Sequence, residues 1–337
     1  MPYQTRKKSK WRIGRVILVL ILILLVGLGI AIGNFIAGKL ANLNIQEIDT
    51  SDLAINGDLY NSVSDTLTEN EFEDVICIAL FGTDSRDTGN ISAGRSDTII
   101  IASINTKFKT AKLISIPRDT YVEVPGHGKT KINHAYAYGG ETLAIKTINQ
   151  NFGLSITEYA TIDFSGLIHI INDIGGIQMN ITKEEMDYIN NHVSDAYNIT
   201  GNTYKTLVSY GNVTLNGEQA LTHSRNRTLG NDFTRAERQR EVLEAIMNKM
   251  ASMGTTNILN KSDRFLQEVK TNINVMDYVG QLTDILMSAD EYFSNITSLQ
   301  VPSTDTASGD YIDGVYYFVP NDAEQMKQDM IDTIYKQ

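Results

Sequence analysis

Val16–Gly38 is a run of 23 residues, mostly Ile, Leu, Val and Gly, without one charged side chain. A run of that length spans a bilayer with some tilt. The rest of the chain must therefore fold by itself on one side of a membrane. A cleaved signal peptide has an apolar core of about 7–15 residues and a small-x-small exit. Here the run is longer and leaves through Ala37-Gly38-Lys39, so an uncleaved anchor is expected. Arg6, Lys7, Lys8, Lys10, Arg12 and Arg15 precede the run, and only Lys39 follows at once. Positive charge stays in the cytoplasm. Residues 1–15 are then a cytoplasmic tail, 16–38 a single plasma-membrane span, and 39–337 extracytoplasmic.

Charge narrows the function of the outer part. The first 38 residues hold six positive charges and no acid; with −11 on the whole chain, −17 is left on the remainder. Nucleic acid is a poor partner for such a surface. The single cysteine, Cys77, lies inside the apolar run Val75–Phe81, so the domain relies on an ordinary core and not on disulfides.

Residues 39–72 are polar with little periodicity and read as a stalk. From Glu73 the pattern changes, and residues 73–337 read as one domain. Val75–Phe81 is a continuous apolar run, as a buried central strand should be. Thr98–Asn105 and Thr110–Ile116 are β-branched strands joined by a hairpin turn at Thr106–Lys109. Helices are expected at Glu141–Phe152, Ser165–Ile174, Thr182–His192 and Asn216–His223. Strands are expected at Glu158–Ile162 and Ile177–Ile181, and residues 194–212 look like a surface excursion. Asp232–Met250 has the best helical signature, with a Thr234/Glu237 capping box and a core stripe of Val242, Leu243, Ile246 and Met250. Helices near Leu259–Val269 and Met276–Met287, strands near Ser294–Val301 and Val315–Val319, and a last helix at Asn321–Tyr335 complete the pattern. Strands alternating with helices predict an α/β fold, a mixed central sheet with helices on both faces.

The arginines point to the chemistry. After the anchor, eight of nine fall in Gly82–Thr120 or Thr222–Arg240. Arginine grips phosphate through a planar fork, so the clustering marks an anion site. Asp84 and Asp97 lie in the first cluster, where carboxylates beside a phosphate suit a divalent cation. Strand exits at Gly82–Arg86 and Ser115–Asp119 would bring Arg86, Arg95 and Arg118 around it. Arg225 and Arg227 share a face of an extended segment. Arg235 and Gln239 share a face of the first turns of the capped helix, whose N-terminus favours anions. Asp232 is an N-cap, an active-site acid, or both. Lys131 either reaches the phosphate or is a surface lysine. Arg238 and Arg240 are expected as surface pairs with Glu237, Glu241 or Glu244. None of the five histidines has metal-ligand spacing with another, and His134 is expected to make a structural hydrogen bond near the site.

Six blocks occur in order: Gly82-Thr83-Asp84-Ser85-Arg86, Arg95-Ser96-Asp97-Thr98, Ser115-Ile116-Pro117-Arg118-Asp119, Lys131-Ile132-Asn133-His134-Ala135, Ser224-Arg225-Asn226-Arg227 and Arg235-Ala236-Glu237-Arg238-Gln239. Together with the anchor they resemble the LytR-CpsA-Psr family of bacterial envelope enzymes, strongly over residues 73–250. The resemblance implies transfer of an anionic glycopolymer from a polyprenyl-pyrophosphate carrier to peptidoglycan, as a phosphodiester on the 6-hydroxyl of N-acetylmuramic acid. It implies Mg²⁺ or Mn²⁺ on Asp84 and Asp97. It also implies a pyrophosphate site of Arg86, Arg118, Arg225, Arg227, Arg235 and Gln239, with Asp232 as a site acid. Asp84, Arg118 and Asp232 are then the catalytic candidates. An apolar tunnel for the polyprenyl tail is implied too, with Phe152, Phe164, Leu167, Ile171, Val242 and Ile246 as candidate lining. The same site would also serve hydrolysis of the polyprenyl pyrophosphate by water. A non-catalytic transcriptional attenuator is the rival outside enzymes, although only 15 residues face the cytoplasm and no helix-turn-helix is visible.

Overall fold

β2 (Val75–Thr83) runs through the middle of the molecule because almost nothing along it needs water. The computed structural model describes residues 44–65, 67–83, 94–226, 228–229, 238, 241–242, 245–246, 248–249, 252–253, 261, 267–278, 281, 288, 291–292 and 296–336. The expected span, Val16–Gly38, lies outside the described residues. Among those described, no helix is long and apolar enough to cross a membrane.

β2 is fourth of seven strands in the central sheet. It pairs in parallel with β7 (Glu158–Asp163) and antiparallel with β3 (Ser96–Asn105). Beyond β3 come β4 (Thr110–Ser115), antiparallel, and β11 (Ile296–Gln300), parallel to β4. Beyond β7 come β10 (Val269–Thr271), antiparallel, and β1 (Asn44–Ile45), parallel to β10. The sheet is mixed, as the sequence predicts.

Alternation along each strand divides the core in two. On one face Ala79, Phe81, Ile99, Ile101 and Tyr159 pack with α3 (Asn133–Phe152) and α8 (Ala323–Tyr335). On the other, Ile78, Ile100, Ala102 and Leu113 pack with α4 (Phe164–Asp173), α5 (Lys183–His192) and α7 (Gly217–Ser224). Val242, Ala245 and Ile246 join this second core. The described positions between 238 and 253 are all helical, in keeping with the helix expected there. Thr182 and Asn216 each close a capping box, which fixes where α5 and α7 begin. Gly140, at φ 60°, kinks α3 where the sequence reads as a turn.

Three expectations are corrected. The polar stretch read as a stalk folds onto the domain from residue 44. It contributes β1, α1 (Leu59–Val63) and α2 (Glu69–Glu73). Leu53, Leu59, Val63 and Leu67 are buried in the first core, and that burial offsets the polarity around them. The excursion at 194–212 holds α6 (Ser194–Thr200) and the start of β9 (Gly211–Leu215), which pairs with β8 (Ile177–Ile181). Val269, expected at a helix end, opens β10 instead. Two further hairpins were not legible as pairs: β5 (Tyr121–Val124) with β6 (Gly128–Lys131), and β12 (Ala307–Ile312) with β13 (Val315–Pro320).

Candidate active site

β2, β4 and β7 finish at the same end of the sheet, and β3 begins there. β1 runs antiparallel to β7 by way of β10, so β1 also begins at this end. Gly82 pairs with Thr98 but Thr83 pairs with Ser96, which leaves Asp97 as the extra residue of a β-bulge. A bulge re-aims a side chain that regular pairing would lock into alternation. The Asp97 Oδ1 atom lies 2.5 Å from Arg118 Nη1, with both side chains largely withdrawn from solvent.

The charges alternate from there. Arg118 Nε is 3.6 Å from Asp119 Oδ2, and Asp119 Oδ1 is 2.7 Å from Lys131 Nζ. Lys131 also lies 5.7 Å from the ring centre of Tyr317 on β13. The hairpin is held there by Phe318 N, which donates to Asp119 O at 2.9 Å. His134 is bonded to Thr130 Oγ1 at 2.8 Å, the structural role expected of it. Burial, followed by Arg95 and Lys131, depresses its pKa against an opposing pull from Asp119, so the imidazole is neutral at pH 7. Arg95 is exposed just before β3.

Arg225 stands on the other side of the β2 exit. It caps α7 at its C-terminal end, and its guanidinium lies 4.9 Å over the ring of Phe164, the first residue after β7. Gly217 permits this placement, because a Cβ there would meet the Ile168 Cα of α4 at 2.7 Å. α4 and α7 thus run antiparallel in close contact.

The loop after Arg225 is fixed from within. Asn226 is fully buried, and its Oδ1 accepts from Thr228 N and Leu229 N at 3.0 and 3.2 Å. Arg238 closes the loop from outside: Nη1 donates to Asn226 O at 3.2 Å, Nη2 to Leu229 O at 2.5 Å, and Nε to Glu185 Oε1 at 3.0 Å. The expected surface pairing of Arg238 is therefore wrong. The legible signal was its spacing, four and seven residues before Val242 and Ala245 on the core stripe.

Asp84, Arg86, Arg227, Asp232, Arg235 and Gln239 lie outside the described residues. Of the candidates that are described, Asp97, Arg118 and Lys131 come together at one strand end, with Arg95 beside them and Arg225 across the β2 exit. Asp119 stands in the Ser115–Asp119 motif with no role legible from the sequence, yet it joins Arg118 to Lys131. Ile171, Val242 and Ile246 share one core and Leu167 packs against it, but Phe152 belongs to the opposite core and cannot line the same tunnel.

A divalent cation suits this end of the sheet on its donors. Thr83 Oγ1 and Ser96 Oγ are buried beside Asp97 without a hydrogen-bond partner among the described residues. Hard oxygen atoms of that kind are the ligands Mg²⁺ takes, directly or through water. Among the described residues no three carboxylate, imidazole or thiol groups converge. Mg²⁺ sites completed by substrate phosphates need only one or two carboxylates.

The LytR_cpsA_psr family matches over residues 44–332. The chain belongs to that family. Over 331 residues it is 30% identical to the polyisoprenyl-teichoic acid–peptidoglycan teichoic acid transferase TagU of Oceanobacillus iheyensis, covering 95% of this chain and 93% of that one. It is 32% identical over 254 residues to the enzyme of the same description, TagT, of Bacillus subtilis, covering 74% and 73%. Among solved structures it resembles LytR-CPS2A-psr family protein YwtF (TagT) with bound octaprenyl pyrophosphate lipid. That match has a TM-score of 0.56 and 26% identity, and covers 80% of this chain and 94% of the other.

Proposed function

We propose that this member of the family is a transferase that moves a polyprenyl-pyrophosphate-linked glycopolymer onto peptidoglycan. The observation that carries the reading is the bulge at Asp97. It joins a carboxylate to Arg118 at the β2 exit, and Arg225 faces the same exit over Phe164. Fork-shaped cations on both sides of a strand end suit a diphosphate. The relatives' names and the octaprenyl pyrophosphate in the TagT structure support the lipid-linked donor.

In this mechanism Arg118 and Arg225, with Arg86, Arg227, Arg235 and Gln239, hold the pyrophosphate and stabilise the charge that builds as its bridging bond breaks. Lys131 and Arg95 add positive potential at the β4 side. Asp84 and Asp97 would hold Mg²⁺, which when bound neutralises charge on the phosphate oxygens. The muramic acid 6-hydroxyl oxygen attacks the phosphorus that carries the glycopolymer. Its proton passes to a carboxylate, Asp84 or Asp232, and polyprenyl monophosphate leaves. The core of Ile171, Val242 and Ile246, flanked by Leu167 and Phe164, supplies apolar surface for the lipid tail. Residues 16–38 would anchor the domain outside the plasma membrane. Such an anchor would keep the strand end where β1 begins close to the bilayer that carries the donor.

The test uses the full chain in detergent micelles with a lipid-linked donor and follows release of polyprenyl monophosphate. Release should require a divalent cation and fall by more than about 100-fold in Asp97→Asn, a loss of the size seen on removing one electrostatic stabiliser. Undiminished release by an Asp97→Asn protein with parent-like melting would remove Asp97 from the metal and the bulge from the mechanism.

A further inference from the structure

We infer that the cleft between β9, the segment 202–209 and the start of α7 is a holding site for the phosphate-free, N-acetylated glycan strand of the acceptor. The inference rests on the transferase reading above. The open cleft has a volume of about 850 Å³, within the roughly 300–1,000 Å³ of ordinary ligand sites. Its floor is rigid and already satisfied. Glu218, 1% exposed, accepts from Asn202 Nδ2 at 2.6 Å, Thr200 Oγ1 at 2.8 Å and Asn172 Nδ2 at 3.2 Å. Gln219 donates to Lys205 O at 3.1 Å, and Asn216 donates to the Tyr197 hydroxyl at 2.8 Å. Burial would raise the Glu218 carboxyl, but its hydrogen bonds from Asn202, Thr200 and Asn172 hold it below the ordinary range. Its oxygens are occupied, so it offers little to a cationic ligand.

The rim is the reverse. Thr203, Thr206, Ser209 and Asn212 line the cleft, are exposed, and make no side-chain hydrogen bond among the described residues. Hydroxyl and amide groups can both donate and accept, which is what a sugar hydroxyl and an N-acetyl group require. Leu207, Val208 and Val213 add apolar surface for the faces of sugar rings, and the exposed rings of Tyr204 and Tyr210 lie beside the same segment. Lys205 is the only cation of the lining, and no arginine is present. A phosphate-rich polymer would want the fork that this cleft lacks.

Its position fits an acceptor. Asn172 ends the pairing of α4 with α7 at the end away from Phe164 and Arg225, through its bond from Gly217 N at 2.8 Å. Asn172 is eight positions after Phe164 in α4, about 12 Å at 1.5 Å per residue. The cleft therefore lies away from the end where β1 begins, and a strand gripped there can extend toward the arginines.

Fluorescence anisotropy of the full chain in micelles, with a labelled uncharged β-1,4-linked N-acetylglucosamine oligomer, tests this. The parent should bind and Ser209→Trp should weaken binding at least about tenfold. In the transfer reaction the same variant should raise KM for peptide-free glycan strands by a similar factor. The donor's KM and its hydrolysis by water should not move. No binding by the parent, equal binding by Ser209→Trp, or a rise in the donor's KM instead of the acceptor's would overturn the assignment. A preference of the cleft for polyglycerol phosphate over the neutral oligomer would overturn it as well. If the parent turns over no lipid-linked donor at all, the transferase reading fails, and the anisotropy arm still decides the cleft.

Discussion

Arg238→Met removes one half of a nearly buried ion pair and, with it, the clamp on the loop that follows Arg225. The Arg238 and Glu185 side chains are 10% and 15% exposed. Removing one partner of such a pair costs about 3–5 kcal/mol, because the other charge is left without compensation in a poorly solvated place. The carbonyls of Asn226 and Leu229 lose their donors at the same time. At about 2–4 °C per kcal/mol for a domain of this size, thermal unfolding should come roughly 6–20 °C earlier. Arg238→Met/Glu185→Met should recover part of that loss, since no lone charge remains. Glu185 sharpens the test through pH. Burial raises its pKa, but the bonds from Thr182 and Arg238 outweigh it, so the folded-state pKa is below 4.5. A depressed carboxylate contributes stability above its unfolded pKa and loses it as pH falls through the folded one. The melting temperature of the parent should therefore drop below pH 4.5 more steeply than that of Glu185→Gln. An Arg238→Met protein that melts within about 2 °C of the parent, less than 1 kcal/mol, and binds pyrophosphate equally well would refute the clamp.

Three further outcomes are expected. Glu141→Leu should destabilise the fold by about 3–5 kcal/mol in urea titration, because its partner Lys270, 2.8 Å away, and Glu141 itself are about 7% exposed or less. Adding Lys270→Met should restore much of it, and a double variant worse than the single would contradict this. Arg225→Lys should weaken polyprenyl-pyrophosphate binding by calorimetry about tenfold, or 1.4 kcal/mol, since a point charge replaces a fork stacked on Phe164; parental affinity would make Arg225 structural. Burial pushes the Cys77 thiol up to about 12 despite hydrogen bonds with Ser103 and Tyr335. It should resist a disulfide reagent at pH 8 until guanidinium unfolds the chain, and prompt labelling of the native protein would place it outside the core.

What the sequence disclosed was whatever a local pattern could carry. The apolar run of β2, the β-branched pair β3 and β4, and the helices beginning at Thr182 and Asn216 each follow from a few adjacent residues. β10 did not, because it is only Val269-Lys270-Thr271, and Lys270 is polar for the sake of Glu141 on α3. The 44–72 segment hid its core residues among Asn, Asp and Ser, and only the fold reveals that Leu53 and Leu59 have a pocket to fill. At the site, arginine clustering pointed to strand ends, and at one of them Asp97, Arg118 and Lys131 lie together. The bulge that frees Asp97 depends on register between two strands, and the partner of Arg238 is 53 residues away in sequence. Neither is written in any window of the chain.

Transfer of a phosphorus centre from lipid phosphate to a sugar hydroxyl is recorded in the product itself. The full chain, Mg²⁺, a lipid-linked glycopolymer and peptide-free peptidoglycan strands should give, by mass spectrometry after muramidase digestion, a muramic acid joined to the polymer through a phosphodiester at its 6-hydroxyl. In oxygen-18 water that phosphate should carry no heavy oxygen. A free polymer phosphate carrying one oxygen-18, with no muramic acid adduct, would rule out transfer and make the chain a pyrophosphate hydrolase.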